Sequence, residues 1–282
     1  MKLKSSLYSI ECLSRHQSIR CYRFGSRVKK EGFYYPNEYQ MNDKFMANDH
    51  KMSAQELRLK RNKLFDNELK RQSELVTRIE KITVSVVNPF GAEDIQTIDL
   101  MMNRFLSTPR HCGQHIHQLI TERSVVALID GKTFWDINRP LVSDCSLQFK
   151  HFKEANPHFV NKTFWRSCSL MLGSVIEKAF KDNIEVKLHS WPKPDINSGS
   201  FVYDVCVDLK DWVPRSEELR VLTAMLQKMT LEDIPFERLD ANKELAKQMF
   251  EHNSIKREQI DSIAKTNGSD SVTLYRVKDH ID

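Results

Sequence analysis

The stretch that decides the fold is FWRSCSLMLGSVIEKAF, residues 164–180. Its apolar and small side chains recur with the spacing of one helix face; they are Cys168, Met171, Leu172, Val175, Ile176 and Ala179. The pattern predicts a long helix with one buried face. Positions 166, 170, 173 and 177 lie on the opposite face, so we expect them to line a cleft rather than the core.

Downstream of this helix, the sequence predicts a second set of strands and helices. Residues 200–209, SFVYDVCVDL, alternate as a strand after a loop rich in proline, and residues 271–277, SVTLYRV, form another strand. Two helices are expected between them, at about Ser216–Met229 and about Asp240–Phe250. Residues 156–282 are therefore predicted to form an α+β domain.

Upstream of the helix, residues 81–155 predict a smaller α+β domain built around one mixed sheet. KITVSVV at 81–87 reads as a strand, and HIHQLITER at 115–123 as a helix. A hairpin with an Asp-Gly turn follows at 124–137, and SLQFKHF at 146–152 supplies the last strand.

The first thirty residues differ in composition from the rest. They hold eight Lys or Arg, six Ser and one acidic residue, with Leu3, Leu7, Ile10 and Leu13 at helical spacing. This composition is typical of a mitochondrial presequence, which we predict for residues 1–30. The alternative is a basic tail that binds nucleic acid.

Residues 31–80 predict an N-terminal extension that contains a long basic helix. SAQE at 53–56 is a capping box that begins the helix, which we expect to run to about Glu80. A thin apolar stripe is surrounded by Lys and Arg, and such a helix rarely folds alone. The candidates for contact with RNA phosphates are Arg58, Arg61, Lys70 and Arg71. A solvated helix face is the alternative reading.

The chain's composition narrows the class of protein. Hydrophobic residues make up 40%, charged residues 29%, and the net charge is +5, which permits a polyanionic partner without requiring one. No run approaches the roughly 18 apolar residues of a membrane span. RHCGQHIHQL at 110–119 places three histidines and a cysteine together, but it lacks the glutamate of an H-E-x-x-H site and a fourth ligand nearby. We predict no metal here, and a structural or RNA-facing role.

The order of these pieces resembles the two amino-terminal modules of threonyl-tRNA synthetase. The resemblance implies an α+β fold with a β-grasp (TGS-like) domain, an α+β domain like the synthetase's editing domain, and a helical extension in front. The strings that carry it are ALIDGK (127–132), WDINRPL (135–141), RSCSLMLGSVIEKAF (166–180), GSFVYDVCVDL (199–209) and TLYRVKDHID (273–282).

The resemblance also implies that the editing site has degenerated. In the family, the first helix of the editing module carries an H-x-x-x-H pair, and the matching positions here are Arg166 and Leu170. Arginine does not deprotonate in proteins, and leucine has neither donor nor acceptor. Ser174 and Glu177 are the remaining polar candidates on that face. The sequence has no Gly-rich phosphate loop and no room for the synthetase's ATP-binding core.

KTFWRSCSLMLGSVIEKAFKD (162–182) and LYRVKDHID (274–282) are also similar to synthetase-related proteins of the mitochondrial large ribosomal subunit. That resemblance implies a non-catalytic structural component in the mitochondrial matrix. Its partners would be large-subunit rRNA and neighbouring ribosomal proteins, with no cofactor, membrane or small-molecule substrate. Two alternatives stay open: a trans-editing deacylase of mischarged tRNA, and a free tRNA-binding factor.

Overall fold

The structure is a computed structural model that describes residues 9–14, 17–25, 52–90, 96–181, 184–190, 201–209 and 212–282. In chain order its elements are β1 (Ser9–Ser14), β2 (Gln17–Gly25), α1 (Ala54–Glu74), β3 (Lys81–Val87), β4 (Thr97–Asn103), α2 (Pro109–Ile116), α3 (Gln118–Arg123), β5 (Ser124–Ile129), β6 (Thr133–Asp136), β7 (Cys145–His151), α4 (His158–Ala179), β8 (Val186–Ser190), β9 (Val202–Val207), α5 (Ser216–Leu231), β10 (Phe236–Asn242), α6 (Lys243–Met249), α7 (Ser254–Asn267), β11 (Ser271–Val277) and β12 (His280–Ile281).

The chain divides into two compact units, which we call the central unit and the terminal unit. The central unit is Asn67–Ser167, and the terminal unit combines Met1–Asp66 with Cys168–Asp282. These limits differ from the boundaries predicted at residues 80 and 155, because α1 and α4 each contribute residues to both units.

A five-stranded sheet in the order β4-β3-β7-β5-β6 organises the central unit. β3 pairs with β7 in parallel, whereas the β3–β4, β5–β7 and β5–β6 pairs are antiparallel. The prediction of a small α+β unit around a mixed sheet is therefore confirmed. β4 was not predicted from the sequence.

The core of the central unit follows the alternation of its strands. Val84 and Val86 are fully buried on β3, and they pack with Cys112 of α2 and Leu147 of β7. The predicted Asp-Gly turn is confirmed: Asp130 has φ 51° and Gly131 has φ 65°, as expected for a two-residue hairpin loop.

The terminal unit contains two antiparallel sheets and the helices that cover them. Their orders are β1-β2-β9-β8 and β10-β11-β12. The predicted strand at 271–277 is confirmed, and the predicted helix from Ser216 extends to Leu231. The helix expected from Asp240 begins instead at Lys243, because residues 236–242 pair with β11 as a strand. The loop predicted at 191–199 lies outside the described residues.

The described residues near the N-terminus form strands rather than a helix. Residues 9–14 and 17–25 form β1 and β2, so the helix expected from the spacing of Ile10 and Leu13 is wrong there; Leu3 and Leu7 lie outside the described residues. β2 pairs with β9, a pairing that exists only while these residues remain attached. The presequence itself stays a prediction. Within the described ranges, none of the helices has the length and apolar character needed to cross a bilayer.

Candidate functional site

The second half of α4 carries the positions where the resemblance places an editing site. Leu170 is 3% exposed and packs with Val175, Met229 and Val277, so the expectation that position 170 lines a cleft is wrong. Arg166 lies on the surface of the same helix. The two positions that match the family's histidine pair therefore occupy different environments.

The next residue of that face, Gly173, is in close contact with a buried tyrosine. A Cβ atom added at Gly173 would lie 2.6 Å from Cε2 of Tyr203 and 3.1 Å from Nε2 of His280. Both Tyr203 and His280 are fully buried. The helix surface at Gly173 is thus covered by side chains of this chain, and glycine permits the close approach.

Glu177, the fourth position of the face, is held in a buried ion pair. Its Oε1 accepts a hydrogen bond from Nη2 of Arg61 at 2.7 Å, and its Oε2 lies 2.6 Å from Nδ1 of His280. Burial acts to raise the pKa of the Glu177 carboxyl, but Arg61 and His280 outweigh it and hold that pKa well below its usual range. Glu177 is a paired carboxylate rather than a group poised to accept a proton.

A second buried polar cluster is centred on Asp282, two residues after His280. Asp282 accepts hydrogen bonds from Lys256 Nζ and from the Tyr203 hydroxyl. Burial raises the pKa of Asp282, but Lys256 and these hydrogen bonds outweigh that effect, so its pKa is lowered. The pKa of Tyr203 is raised by burial and by the charge of Asp282. These groups satisfy one another inside the terminal unit.

The first half of α1 covers this region of the terminal unit. Phe65 is fully buried beneath Arg276 of β11, whose guanidinium carbon lies 4.4 Å from the ring centroid. Arg276 Nη1 donates to Asp66 Oδ1 at 2.6 Å, and Asn62 Nδ2 donates to the Asp279 carbonyl at 2.7 Å. The predicted capping box is confirmed, with Ser53 N donating to Glu56 Oε2 at 2.7 Å. The buried residues of α1 are Arg61 and Phe65 rather than the predicted leucine stripe.

The four predicted phosphate contacts on α1 therefore separate into two pairs. Arg61 is 3% exposed and paired with Glu177, so it has no surface to offer a phosphate and that prediction is corrected. Arg58 is largely covered and donates to the Glu177 carbonyl at 3.4 Å. Lys70 is exposed with Glu74 at 3.9 Å, and Arg71 is exposed with Glu68 at 2.7 Å.

The histidine cluster of the central unit begins two helices. His111 and Thr108 form a capping box, in which His111 N donates to Thr108 Oγ1 and Thr108 N donates to His111 Nδ1. His117 is the N-cap of α3, and its Nδ1 accepts from Leu119 N at 3.1 Å. Burial, followed by the charge of Cys145, raises the pKa of the Cys112 thiol to about 12. Among the described residues, no group of three or more His, Cys, Asp and Glu is arranged to hold a metal ion.

Comparison with known proteins shows that the chain is similar to two kinds of protein, a ribosomal protein and threonine–tRNA ligases. It is 46% identical over 224 residues to the large ribosomal subunit protein mL39 of Drosophila melanogaster, a match that covers 79% of this chain and 65% of that protein. The resemblance predicted from the sequence is confirmed. The chain is also 30% identical over 176 residues to the probable cytoplasmic threonine–tRNA ligase 1 of Dictyostelium discoideum, covering 62% of this chain and 23% of the ligase.

A third relative, the cytoplasmic threonine–tRNA ligase 2 of Homo sapiens, is 30% identical over 176 residues, which cover 62% of this chain and 20% of the ligase. The chain thus spans just under two thirds of mL39 and less than a quarter of the ligases. No protein-family model matches the chain.

Sequence reasoning missed the side chains that fill the region beside Glu177. Arg61, Tyr203 and His280 come from α1, β9 and β12, and no local spacing connects these elements with Glu177. A signal existed only for Glu177, because it follows the uncharged segment 167–176 and a charged residue requires a partner when it is buried.

Proposed function

We propose that this chain is a non-catalytic structural component of the mitochondrial large ribosomal subunit. Its partners are large-subunit rRNA and neighbouring ribosomal proteins. The observation that carries the proposal is the 46% identity to mL39 over 79% of the chain, compared with 30% over 62% for the synthetase of Dictyostelium. The basic net charge of +5 suits an rRNA partner.

We propose the mitochondrial matrix as its location. The support is the basic, serine-rich and acid-poor composition of residues 1–30, together with the ribosomal relative. The presequence extends over residues 1–30 in this proposal, followed by the extension at 31–80.

We propose that residues 81–155 and 156–282 correspond to the two amino-terminal modules of threonyl-tRNA synthetase. A β-grasp, TGS-like domain at 81–155 is supported by its two hairpins, the helices between them, and a last strand that pairs in parallel with the first. A domain like the synthetase's editing module at 156–282 is supported by the ligase matches. The coarser statement, an α+β fold with a mixed sheet, does not depend on this assignment.

The proposal of a non-catalytic role rests on α4 and its surroundings. Arg166 and Leu170 replace the histidine pair, Ser174 is 1% exposed, and Glu177 is bound to Arg61. Hydrolysis of a tRNA ester requires a base or nucleophile that the RNA end can reach. These residues offer none, which disfavours the trans-editing deacylase.

For rRNA contact on α1, we retain Lys70 and Arg71 as the phosphate candidates. Both ammonium and guanidinium groups are exposed, and their acidic neighbours lie on the same helix. Exposed ion pairs within one helix contribute little to stability, so breaking them to form phosphate contacts costs little free energy.

The experiment is sedimentation of the tagged protein from detergent-lysed mitochondria, repeated in rising salt. Co-migration with the large subunit through salt that releases loosely bound basic proteins is the expected result. Accumulation at the top of the gradient would overturn the proposal and favour the free tRNA-binding factor. A matched chain with Lys70→Glu and Arg71→Glu should leave the subunit at lower salt.

A further inference from the structure

Two pairs of phenylalanine rings lie at the surface of the central unit, around the first turns of α4. Phe134 of β6 stacks on Phe159 of α4, with ring centroids 3.9 Å apart and an angle of 22° between the rings. Phe152, which follows β7, meets Phe164 edge to face with centroids 5.7 Å apart. All four rings are between 38% and 49% exposed.

This exposure is unusual for phenylalanine. A single exposed apolar side chain needs no explanation, but a contiguous group of large rings on a soluble unit indicates a binding surface. None of the four belongs to the core of the central unit, which is built on β3, β5 and β7. Much of the apolar surface of these rings stays in contact with water, so the rings contribute little to the stability of the fold.

The segment that carries three of the four rings is rich in basic residues. Residues 150–167 contain four Lys or Arg and one acidic residue, Glu154. Phe159, Lys162 and Arg166 are spaced i, i+3 and i+7, so they lie on one face of α4. The Lys162 ammonium lies 5.7 Å from the centroid of the Phe159 ring. A flat ring and positive charges thus share one surface, which we call the α4 aromatic face (Phe134, Phe159, Lys162 and Arg166).

We propose that the α4 aromatic face binds unpaired bases of RNA, with a base stacking at Phe159 and Lys162 and Arg166 neutralising the adjoining phosphates. Aromatic rings beside a positively charged track are the arrangement by which proteins hold single-stranded nucleic acid. A double helix keeps its bases stacked inside, so it offers only its backbone to such a surface. The inference rests on the proposed function, because it specifies which form of RNA one surface of the ribosomal component contacts.

RNA suits this face better than another protein does. Protein interfaces mix aromatic with aliphatic anchors, whereas no large aliphatic side chain within residues 150–167 is exposed beside these rings. The exposed aliphatic side chains of the central unit lie elsewhere, such as Met101 on β4 at the sheet edge opposite to β6. The positive balance around the rings also favours a polyanion.

The test measures binding of the full chain to fluorescein-labelled oligouridine of about 12 nucleotides, a length that such sites commonly span. Fluorescence anisotropy compares it with an RNA duplex of equal length. We expect tighter binding of the single strand, about a tenfold loss with Phe159→Ala, and near wild-type binding with Phe159→Tyr. Lys162→Gln should weaken binding and reduce its salt dependence. Met101→Ala, a truncation of a more exposed apolar side chain at the far sheet edge, should bind as the wild type does.

Two outcomes would overturn the inference. One is equal or tighter binding of the duplex, and the other is unchanged oligouridine affinity of Phe159→Ala. Sedimentation of the same Phe159→Ala chain separates the causes. If it leaves the large subunit while its RNA affinity is unchanged, the face binds a protein and the inference fails. If the wild type stays with the large subunit but binds no single strand, the inference fails and the proposed function stands.

Discussion

At the residue scale, Glu177 connects α4 with α1 and β12. Arg61 and His280 both contact its carboxylate, and all three side chains are largely or wholly removed from water. A buried ion pair of this kind adds little net stability over an apolar pair of similar size, but removal of one partner leaves the other charge buried and unpaired. Arg61 and Glu177 therefore link α1 to α4, and loss of either partner should destabilise the terminal unit.

We predict that Glu177→Gln lowers the free energy of unfolding by about 3–5 kcal/mol, because the Arg61 charge is left without its partner. The double variant Arg61→Met, Glu177→Leu should recover most of that loss, since it removes both charges. Urea unfolding at neutral pH measures both. The control is Glu251→Gln, which breaks the half-exposed pair with Lys60 and should change stability by less than about 1 kcal/mol. A loss as small as the control's would contradict the prediction.

The same substitution has an expected pH dependence. The folded-state pKa of Glu177 lies below its unfolded value of about 4.3, so its stabilisation is fully present above that value and is lost as the pH falls through the folded pKa. Wild-type stability should decrease in acid, and Glu177→Gln should show a shallower decrease. Asp282, whose pKa is also lowered, keeps part of the acid dependence in the variant. If the free energy of unfolding decreased equally steeply with falling pH in the two proteins, Glu177 would not titrate as described.

At the scale of the element, α1 is a helix whose stability comes from docking. Its buried residues are Arg61 and Phe65, Leu59 is 63% exposed, and its other leucines are only partly buried. A helix with such a narrow buried face depends on tertiary contacts rather than on propensity. Phe65, fully buried under Arg276, is the main apolar contact that holds it.

We predict that Phe65→Ala lowers the free energy of unfolding of the terminal unit by about 3–5 kcal/mol, because it leaves a cavity beneath Arg276. Amide hydrogen exchange within Ala54–Asp66 should then become faster than exchange within β10 and β11. Leu59→Ala is the matched control on the same helix and should change little, within about 0.5 kcal/mol. Unchanged protection of these amides in Phe65→Ala would show that α1 is held by its polar contacts alone.

Elements with a strong apolar period were found from the sequence, whereas elements with a weaker apolar pattern were missed. β3 alternates strictly and α4 repeats its apolar residues at helical spacing, so both were found from the sequence. β4 alternates at Ile98, Leu100 and Met102, but of these only Met102 is buried, and α7 is rich in charged residues; both were missed. The candidate site shows the same limit. Spacing placed Glu177 and Leu170 on one face of α4, but the burial of Leu170 depends on Met229 and Val277, which only the tertiary fold brings there.

At the scale of the whole molecule, the chain is similar in sequence to threonyl-tRNA synthetases, but the region where that resemblance places an editing site is filled by side chains. Leu170 is in the core, Gly173 lies against Tyr203, and Glu177 is bound to Arg61. Restoring one histidine cannot reopen this region, because the covering side chains come from α1, β9 and β12. The region where the resemblance places an editing site is therefore closed by packing, in addition to having arginine and leucine at positions 166 and 170.

We predict that the full chain does not accelerate deacylation of mischarged tRNA, and that Arg166→His does not change this. Arg166 is exposed, so histidine is tolerated there, yet a lone imidazole without a second histidine or an accessible partner gives no site for the ester. Release of the labelled amino acid, measured beside an editing-competent threonyl-tRNA synthetase, tests both proteins. A release rate that rises with the concentration of the wild-type chain would overturn the non-catalytic proposal, whereas activity confined to Arg166→His would mean that the region around α4 opens to RNA.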